Sequence, residues 1–321
     1  MSRDIRALLV DCQGGFSNKV IAGDGSDPFE NMRQQQVLRD GGLYVQAKPG
    51  EVTAEQSMKN TAEVISSKKG MEFEDVITTE DSHPSIHMSF CSSYKKRGEN
   101  VRFSDWRKSL INRDMDTFNK FASPFTLMRT EPGNGIVSFD PVTNDITGEY
   151  ECTVRPLQNW IENEYLPNLA TDLCTWTPHC VVNTPGWLLQ RDVFNAVHGW
   201  EEKNHALSTV LTKGWNLRVE QYSALEAEVP DPKDPSTSLN KTFIQSLVDC
   251  DEIPIMGLAL NFCVARTMQS IKNFDESLVK KMVLLEDCTV EIAGFEHLTK
   301  SLMDEFLPLG MRISNSKDYV A

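Results

Sequence analysis

The sequence lacks the long apolar run that a membrane-spanning helix requires. Crossing a bilayer takes about 18 to 20 consecutive apolar residues, and no run among the 321 residues comes near that length. The first residues, MSRDIRALLVDCQ, place charges at the start of the apolar run and interrupt it at Asp11, which is not the pattern of a secretory signal peptide. We therefore expect a cytoplasmic protein with no membrane partner.

Paired cysteines and positive charge are also scarce. The eight cysteines include no Cys-x-x-Cys pair, which argues against a secreted disulfide framework and against a structural zinc site. The chain has 32 basic and 46 acidic residues, a net charge of −14, and no dense Lys/Arg stripe with interleaved aromatic residues. Such a chain repels a phosphate backbone. We expect free thiols in the core and no nucleic-acid partner.

What the sequence does contain is an alternation of strand and helix patterns. Apolar runs rich in Val, Ile and Leu alternate with segments of helical period, which is typical of a buried parallel sheet flanked by helices. The predicted strands cover residues 6–12, 75–81, 208–214, 253–260 and 280–288, with a last strand in 311–316. The predicted helices cover residues 57–70, 191–204, 242–250, 263–274 and 297–307. The pattern predicts a three-layer α/β/α fold with a central, mainly parallel sheet.

The alternation breaks between about residues 91 and 172. Within this stretch, residues 134–154 alternate apolar and polar positions around Asn144-Asp145, which predicts an antiparallel hairpin. Residues 156–169 then have the period of an amphipathic helix. We expect a single domain over residues 1–321 with a hairpin and helix inserted at about 91–172. A polar segment from Ser17 to about Arg39 is expected to form an extended loop.

Polar residues follow four of the predicted strands at the point where each strand ends. They are Asp11, Asp81 with His83, Lys213 and Cys263. Ligands of an open parallel sheet bind outside the carboxyl ends of its strands. We therefore expect these side chains to lie close together and to form a functional site.

Three of these residues could activate a nucleophile. Taken singly, Asp11 could cap a helix, Lys213 could end a strand in solvent, and Cys263 could be an inert core thiol. A thiol becomes nucleophilic when a base takes its proton and a cation or helix N-terminus stabilises the thiolate. If the three converge, Asp11 is the candidate base, Lys213 the candidate cation and Cys263 the candidate nucleophile.

The other strand-end residues suit a metal ion. Asp81 and His83 are two positions apart, so on an extended strand end their side chains point to the same face. His179, in CTWTPHCVVNTPG, could complete a site of two histidines and one carboxylate with open positions; alternatively it is a core histidine. His87 lies four residues beyond His83 and could reach the same centre. The remaining histidines are interpreted as structural: His198, His205 and His297.

Five segments of the chain together resemble a known family. They are DCQGGF, EDSHPSIHMSF, TWTPHCVVNTPG, TKGWNLRVEQYSAL and GLALNFCVARTMQ. In this combination and order they are similar to the nicotinamidases of the isochorismatase-like hydrolase superfamily. The resemblance covers most of the predicted α/β core and none of the insertion, and it implies the isochorismatase-like hydrolase fold.

The resemblance implies roles for individual residues. The catalytic triad is Asp11, Lys213 and Cys263, and the metal ligands are Asp81, His83 and His179, with His87 matching an additional ligand of some members. Phe16 and Trp176 match aromatic residues that hold a pyridine ring, and backbone N–H groups near Ala259 and Cys263 match the oxyanion site. A cis peptide bond is expected near Leu258-Ala259.

The implied activity is hydrolysis of nicotinamide to nicotinate and ammonia through a thioester on Cys263, a step of NAD salvage. The substrate's ring nitrogen would occupy an open metal position, and water activated by Asp11 or the metal would release the product. The cofactor would be one divalent metal ion, with zinc as the first candidate. Two histidines and one carboxylate suit Zn²⁺, Fe²⁺ and Mn²⁺ alike.

Three departures and three rival functions stay open, and one departure is the long segment after Phe16, before GGLYV resumes the family pattern. Ser82 stands where the family usually has an aromatic residue, which suggests a wider pocket, and the long insertion could serve as a lid, a partner site or a homo-oligomer interface. One rival is a related amidohydrolase for another small amide. Another is a non-catalytic binding or regulatory protein on this core, which an intact triad disfavours. Isochorismatase activity is disfavoured because vinyl-ether hydrolysis does not need Cys263.

Overall fold

The computed structural model describes residues 3–17, 43–45 and 50–321. The strands are β1 (Arg6–Val10), β2 (Asp75–Asp81), β3 (Tyr94–Lys96), β4 (Leu127–Glu131), β5 (Gly135–Phe139), β6 (Ile146–Cys152), β7 (Leu173–Cys174), β8 (Thr209–Lys213), β9 (Ile253–Leu258), β10 (Met282–Val290) and β11 (Arg312–Ser314). The predicted loop after Ser17 lies outside the described residues as far as Gly42.

The α-helices are Gly14–Ser17, Ala54–Ser66, Phe103–Asn112, Met115–Phe118, Arg155–Trp160, Leu166–Asn168, Arg191–Asn204, Lys241–Ser246, Ala265–Phe274, Glu296–Phe306 and Ser316–Val320. Two π-helical turns cover Ile161–Tyr165 and Leu260–Val264. Short 3₁₀ turns cover Gly70–Glu72, Cys91–Ser93, Pro185–Trp187, Pro235–Thr237 and Glu276–Lys281. Within the described ranges, none of the helices has the length and apolar character needed to cross a membrane.

The central sheet has six strands in the order β11-β10-β9-β1-β2-β8. Every neighbouring pair in it is parallel. β1 lies in the middle, where Leu8 is in register with Ile77 of β2 on one side and with Ile255 of β9 on the other. The six strands predicted from apolar runs are the six strands of this sheet.

Helices cover both faces of the central sheet. On one face Ala7 and Leu9 of β1 share a buried core with Val193 of the helix Arg191–Asn204. On the other face Leu8 packs in a second core with Phe306 of the helix Glu296–Phe306. Adjacent strand residues point to opposite faces, and burying each such side chain contributes roughly 1.5–3 kcal/mol. The predicted three-layer α/β/α fold is confirmed.

A second sheet lies between β2 and β8 in the chain. It has five antiparallel strands in the order β3-β6-β5-β4-β7. The predicted hairpin is present as β5 and β6, with Asn144 in the left-handed region at φ 64°. The predicted helix 156–169 is present as two α-helical segments joined by the π-helical turn Ile161–Tyr165. The strands β3, β4 and β7 were not predicted.

Two predicted boundaries differ from those in the structure. The strand predicted to reach residue 260 ends at Leu258, because the chain turns there into the π-helical turn Leu260–Val264 and then the helix Ala265–Phe274. The peptide bond Leu258-Ala259 is cis, as the family resemblance implied. The helix predicted from residue 57 begins at Ala54, where the Thr53 side chain accepts a hydrogen bond from Gln56 N at 3.2 Å.

Candidate active site and metal site

The polar strand-end residues meet at the carboxyl edge of the central sheet. Asp11 follows β1 directly, Asp81 is the last residue of β2, and Lys213 is the last residue of β8. Cys263 lies in the π-helical turn after β9, just before the N-terminus of the helix Ala265–Phe274. All four are buried. The convergence expected from the strand pattern is therefore present.

Lys213 is the centre of this group. Its Nζ lies 3.1 Å from Asp11 Oδ2 and 3.2 Å from Asp81 Oδ1, and it donates a hydrogen bond to the Gln221 carbonyl at 3.0 Å. The same ammonium lies 3.6 Å from Cys263 Sγ. An unpaired buried ammonium would be strongly disfavoured, so the two carboxylates are what allow this cation to sit beside the thiol.

The buried charges set the protonation states. Burial lowers the pKa of Lys213, but Asp11 and Asp81 outweigh it and raise that pKa well above its usual value, so the lysine stays charged. Burial raises the pKa of Cys263 well above its usual value, with Lys213 opposing and Asp11 adding to the increase. The resting cysteine is therefore a thiol that needs a base.

Asp11 is the candidate base, and its side chain is in hydrogen-bond contact with the Cys263 thiol. Its backbone has φ 47°, in the left-handed region, which turns the chain sharply out of β1. Its Oδ1 accepts a hydrogen bond from Thr79 Oγ1 at 2.6 Å, and its Oδ2 faces Lys213. Burial raises the pKa of Asp11 and Lys213 opposes the increase. A raised carboxyl pKa makes Asp11 a better proton acceptor.

Asp81, His83 and His179 form a buried group that could hold a metal ion. One ligand atom from each lies within 4.8 Å of the others. His83 Nε2 and His179 Nε2 lie 3.0 Å and 3.4 Å from Asp81 Oδ2. His83 Nδ1 lies 3.3 Å from the Gly214 carbonyl and His179 Nδ1 lies 2.7 Å from the Thr177 carbonyl. Because a carbonyl only accepts, each Nδ1 carries the hydrogen and each Nε2 is available to a metal.

The local backbone brings the three candidate ligands together. His83 N donates to the Cys180 carbonyl at 3.1 Å, and Val182 N donates to the His83 carbonyl at 3.0 Å. These two bonds tie the end of β2 to the segment that carries His179. Gly214 has φ +78°, and a Cβ there would lie 2.7 Å from Asp81 Oδ1. Only glycine fits this position without disturbing the site.

Charge in this group favours the cation-binding form of Asp81 but the protonated form of His83. Burial raises the pKa of Asp81, but His83 and Lys213 hold it well below its usual value, so the carboxylate is ionised. Burial lowers the pKa of His83, and attraction to Asp81 outweighs it and raises that pKa. A cation would compete with the proton on His83 for the same lone pair.

His87 lies beside this group without belonging to it. Its ring centroid is 4.2 Å from that of His83, and its Nδ1 lies 2.7 Å from Ser89 Oγ. Its Nε2 is buried and has no hydrogen-bond partner in the part of the chain that the structure describes. Burial, and then the neighbouring His83, lower the pKa of His87 well below its usual value. His87 is therefore neutral beside the candidate metal site.

A small cavity opens onto Cys263 and the candidate metal ligands. Its apolar lining is Phe16, Leu43, Trp176, Tyr222, Ala259, Phe262 and Ile292, and its polar lining is Asp81, His179, Glu220 and Cys263. Phe16, Trp176 and Ala259, the candidate substrate-binding residues, all lie in this wall. Trp176 Nε1 donates to Tyr222 OH at 3.1 Å, which fixes the plane of the indole.

Ser82 does not line this cavity. Its Oγ accepts a hydrogen bond from Trp187 Nε1 at 2.9 Å, so its side chain is engaged with a different part of the protein. The small residue at this position therefore gives no extra room beside Cys263, and the structure does not support the wider pocket that Ser82 suggested.

Two solved structures similar to this chain are both nicotinamidases. One is the Acinetobacter baumanii nicotinamidase and pyrazinamidase, at TM-score 0.53 and 16% identity, covering 99% of this chain and 98% of that one. The other is the yeast nicotinamidase Pnc1p bound to the inhibitor nicotinaldehyde, at TM-score 0.51 and 16% identity, covering 97% of this chain and 99% of that one. The chain has the nicotinamidase fold. No protein-family model and no curated protein matches the sequence.

Two polar residues of this nicotinamidase fold were not predicted to belong to the site. The Gln13 amide donates to the Asp81 carbonyl at 2.9 Å and accepts from Asp81 N at 2.8 Å, so it clamps the backbone of a candidate metal ligand. Glu220 lines the cavity. Both lie inside segments that carry the family resemblance, DCQGGF and TKGWNLRVEQYSAL, and that position was the available signal.

Proposed function

We propose that this protein is a metal-dependent cysteine amidohydrolase that converts nicotinamide and water into nicotinate and ammonia. The observation that carries the proposal is the Lys213 ammonium, which lies 3.1 Å from Asp11 and 3.6 Å from Cys263. A thiol, a carboxyl base and a cation in contact are the parts that amide hydrolysis by a cysteine requires. The nicotinamidase fold and the adjacent Asp-His-His group support the same activity.

The first half of the reaction breaks the carbon–nitrogen bond. Asp11 takes the proton of the Cys263 thiol, and Sγ attacks the carboxamide carbon. Lys213 stabilises the thiolate as it forms. Backbone N–H groups near Ala259 and Cys263 would hold the oxygen of the tetrahedral intermediate. Asp11 then returns the proton to the nitrogen, and ammonia leaves behind a thioester.

The second half releases the acid. Asp11, ionised again, takes a proton from a water molecule whose oxygen attacks the thioester carbon. The tetrahedral intermediate expels Sγ, which regains a proton through Asp11, and the nicotinic acid so formed loses its carboxyl proton to solvent and leaves as nicotinate. Each half returns Asp11 to its starting protonation state, so one buried carboxyl serves both.

The substrate would be positioned by the aromatic wall and by the candidate metal ligands. Phe16 and Trp176 offer flat apolar faces for a pyridine ring. A divalent ion held by Asp81, His83 and His179, which we propose to be zinc with iron or manganese as alternatives, would supply an open Lewis-acid position for the ring nitrogen. Binding at two ends makes the attack by Cys263 effectively intramolecular.

The test is ammonia release from nicotinamide by the purified protein, with its metal content assayed. We expect release by the native protein, and a loss of at least about 10⁴-fold in kcat/KM in Cys263→Ala. The matched control is Cys250→Ala, because Cys250 is equally buried but precedes β9 at the opposite end of the strand.

Each of the other outcomes of this test contradicts a different part of the proposed function. Metal-loaded native protein that releases no ammonia from nicotinamide contradicts the substrate, and other small amides would be tested next. Absence of bound metal contradicts the ligand set Asp81, His83 and His179. Equal activity of Cys263→Ala and Cys250→Ala would contradict Cys263 as the nucleophile, whereas a metal-loaded native protein that hydrolyses no small amide would favour a non-catalytic protein on this core.

A further inference from the structure

Glu220 lies in the wall of the cavity and is buried. Only one of its two carboxylate oxygens has a hydrogen-bond partner among the described residues. Only 3% of the residue is exposed, and it lines the cavity together with Asp81, His179 and Cys263. Its Oε1 accepts a hydrogen bond from Gln221 N at 2.9 Å. Its Oε2 is buried and has no hydrogen-bond partner among residues 3–17, 43–45 and 50–321.

The backbone holds this carboxylate in place. Glu220 N donates to Tyr165 OH at 3.0 Å, and the Glu220 carbonyl accepts from Glu228 N at 3.0 Å. With both backbone groups bonded, the side chain has little freedom to turn towards solvent. A buried acceptor left without a donor costs roughly 1–3 kcal/mol, so a donor brought in by a ligand would be favoured at Oε2.

Substrate and product of an amide hydrolysis differ in the group that would meet such an acceptor. A carboxamide is neutral and carries two N–H donors, whereas the carboxylate formed from it is anionic and carries only acceptors. A fixed carboxylate accepts a hydrogen bond from the carboxamide and repels the product carboxylate. The Glu220 side chain makes no direct contact with Lys213 among those described, and it is linked to it only through Gln221, which donates to Glu220 Oε1 and accepts from Lys213.

We propose that Glu220 is a specificity residue that makes the cavity prefer the neutral amide over the anionic acid. The inference rests on the proposed amidohydrolase function. An ionised Glu220 makes the protein bind the amide more tightly and makes release of the acid easier after hydrolysis. Burial raises the pKa of Glu220, with His83 opposing. We therefore expect the preference for the amide at a pH high enough to keep the carboxylate ionised.

The experiment compares binding of nicotinamide and nicotinate to the full, zinc-loaded chain by calorimetry at pH 8. Cys263→Ala is the background, so that nothing is turned over. The ratio of Kd for nicotinate to Kd for nicotinamide should fall about tenfold when Glu220→Gln is added, since a charged hydrogen bond and a like-charge repulsion are both lost. Glu220→Ala should lower the ratio in the same direction and replaces the glutamine variant if that one does not fold.

The matched control is Glu228→Gln in the same background. Glu228 is on the same segment, but its Oε2 lies 3.6 Å from Arg266 Nε and it does not line the cavity. We expect its ratio to stay at the background value. An equal fall in both variants would show a general charge effect, and no fall in the Glu220 variants would mean that Glu220 does not discriminate; either result overturns the inference.

The same titrations separate this inference from the proposed function. If the Cys263→Ala background binds nicotinamide but the ratio is unchanged by the Glu220 variants, the inference fails while the substrate assignment stands. If the metal-loaded background binds neither compound, the nicotinamide assignment and this inference both fail.

Discussion

Each of the two sheets carries an ion pair between a lysine and a carboxylate, but the pair is buried at the parallel sheet and partly exposed on the antiparallel sheet. At the carboxyl edge of the parallel sheet, Lys213 pairs with Asp11 through side chains that are 1% and 0% exposed. On the antiparallel sheet, Lys95 pairs with Glu151 at a similar distance, 3.0 Å, but the side chains are 18% and 38% exposed. Water screens the second pair and cannot reach the first. The comparison shows that position in the fold, more than pair geometry, decides what a charge can do.

The helical segment Arg155–Asn168, which shares a hydrophobic core with the antiparallel sheet, nevertheless contacts the site. Trp160 Nε1 donates to the Arg218 carbonyl at 2.7 Å, and the Tyr165 hydroxyl accepts from Glu220 N. Both contacts fall on the segment that follows Lys213 and forms one wall of the cavity. This helical segment thus supports the site from outside, while the parallel sheet supplies its candidate chemical groups.

The largest difference between the sheets should come from removing each lysine. Lys213→Met leaves Asp11 and Asp81 buried without their common cation, so we expect a loss of about 3–5 kcal/mol in the free energy of unfolding. Activity on nicotinamide should fall at least about 10³-fold in kcat/KM. Lys95→Met should change the free energy of unfolding by less than about 1 kcal/mol and leave activity unchanged.

Denaturant unfolding and ammonia release measure both quantities. Similar losses of stability in the two lysine variants would contradict the contrast drawn between buried and exposed pairs. Retained activity in a folded Lys213→Met variant would contradict the role of Lys213 beside the thiol.

A pair of glycines sharpens the comparison. Gly214 and Gly133 both have positive φ, +78° and +84°, but a Cβ on Gly214 would meet Asp81 and His83 while a Cβ on Gly133 would meet nothing within 4 Å. Either alanine should cost roughly 1–2 kcal/mol for the left-handed backbone. Only Gly214→Ala should also lower the metal content and reduce activity, by about tenfold or more.

Metal analysis after dialysis, together with kcat/KM, distinguishes the two glycine variants. Full metal content in Gly214→Ala would mean that the Asp81 and His83 side chains tolerate displacement, and that the close approach of Gly214 does not define the site.

The parallel sheet could be predicted from the sequence because each of its strands can be recognised from its own residues. Each strand is buried on both faces, so it is a continuous apolar run, and the polar residue that follows it marks the edge where ligands bind. Asp11, Asp81 and Lys213 could be located in this way. The family resemblance then added what spacing cannot give, such as the aromatic residues Phe16 and Trp176.

The second sheet was harder to predict because its strands are short and one face is exposed. β3 and β7 contain three and two residues, too few to establish an alternation. Their pairing depends on contacts with β6 and β4, which are distant in sequence. Glu220 was missed for a related reason: its hydrogen bond to Tyr165 joins residues that are distant in sequence, and an isolated glutamate in a polar segment is most often solvated.

The smallest expected effect tests whether the helical segment Arg155–Asn168 acts on the site through Glu220. Tyr165→Phe removes the hydroxyl that accepts from Glu220 N, and leaves that N–H unpaired at a cost of about 1 kcal/mol. Tyr94 is a buried tyrosine of the same core, but its hydroxyl has no hydrogen-bond partner in the described ranges. Tyr94→Phe should therefore be neutral or slightly stabilising, and it is the matched control.

The KM and kcat of Tyr165→Phe show whether the Tyr165 hydroxyl positions Glu220 or only contributes to packing. Freed from Tyr165, the Glu220 backbone can shift, so KM for nicotinamide should rise about threefold to tenfold with kcat unchanged, because the groups around Cys263 are untouched. If Tyr165→Phe lowers stability but leaves KM at the Tyr94→Phe value, the Tyr165 hydroxyl contributes to packing and does not position Glu220. A fall in kcat would instead mean that the Tyr165 contact also positions the reacting groups, because a cavity wall that only orients the substrate changes binding and not the chemical step.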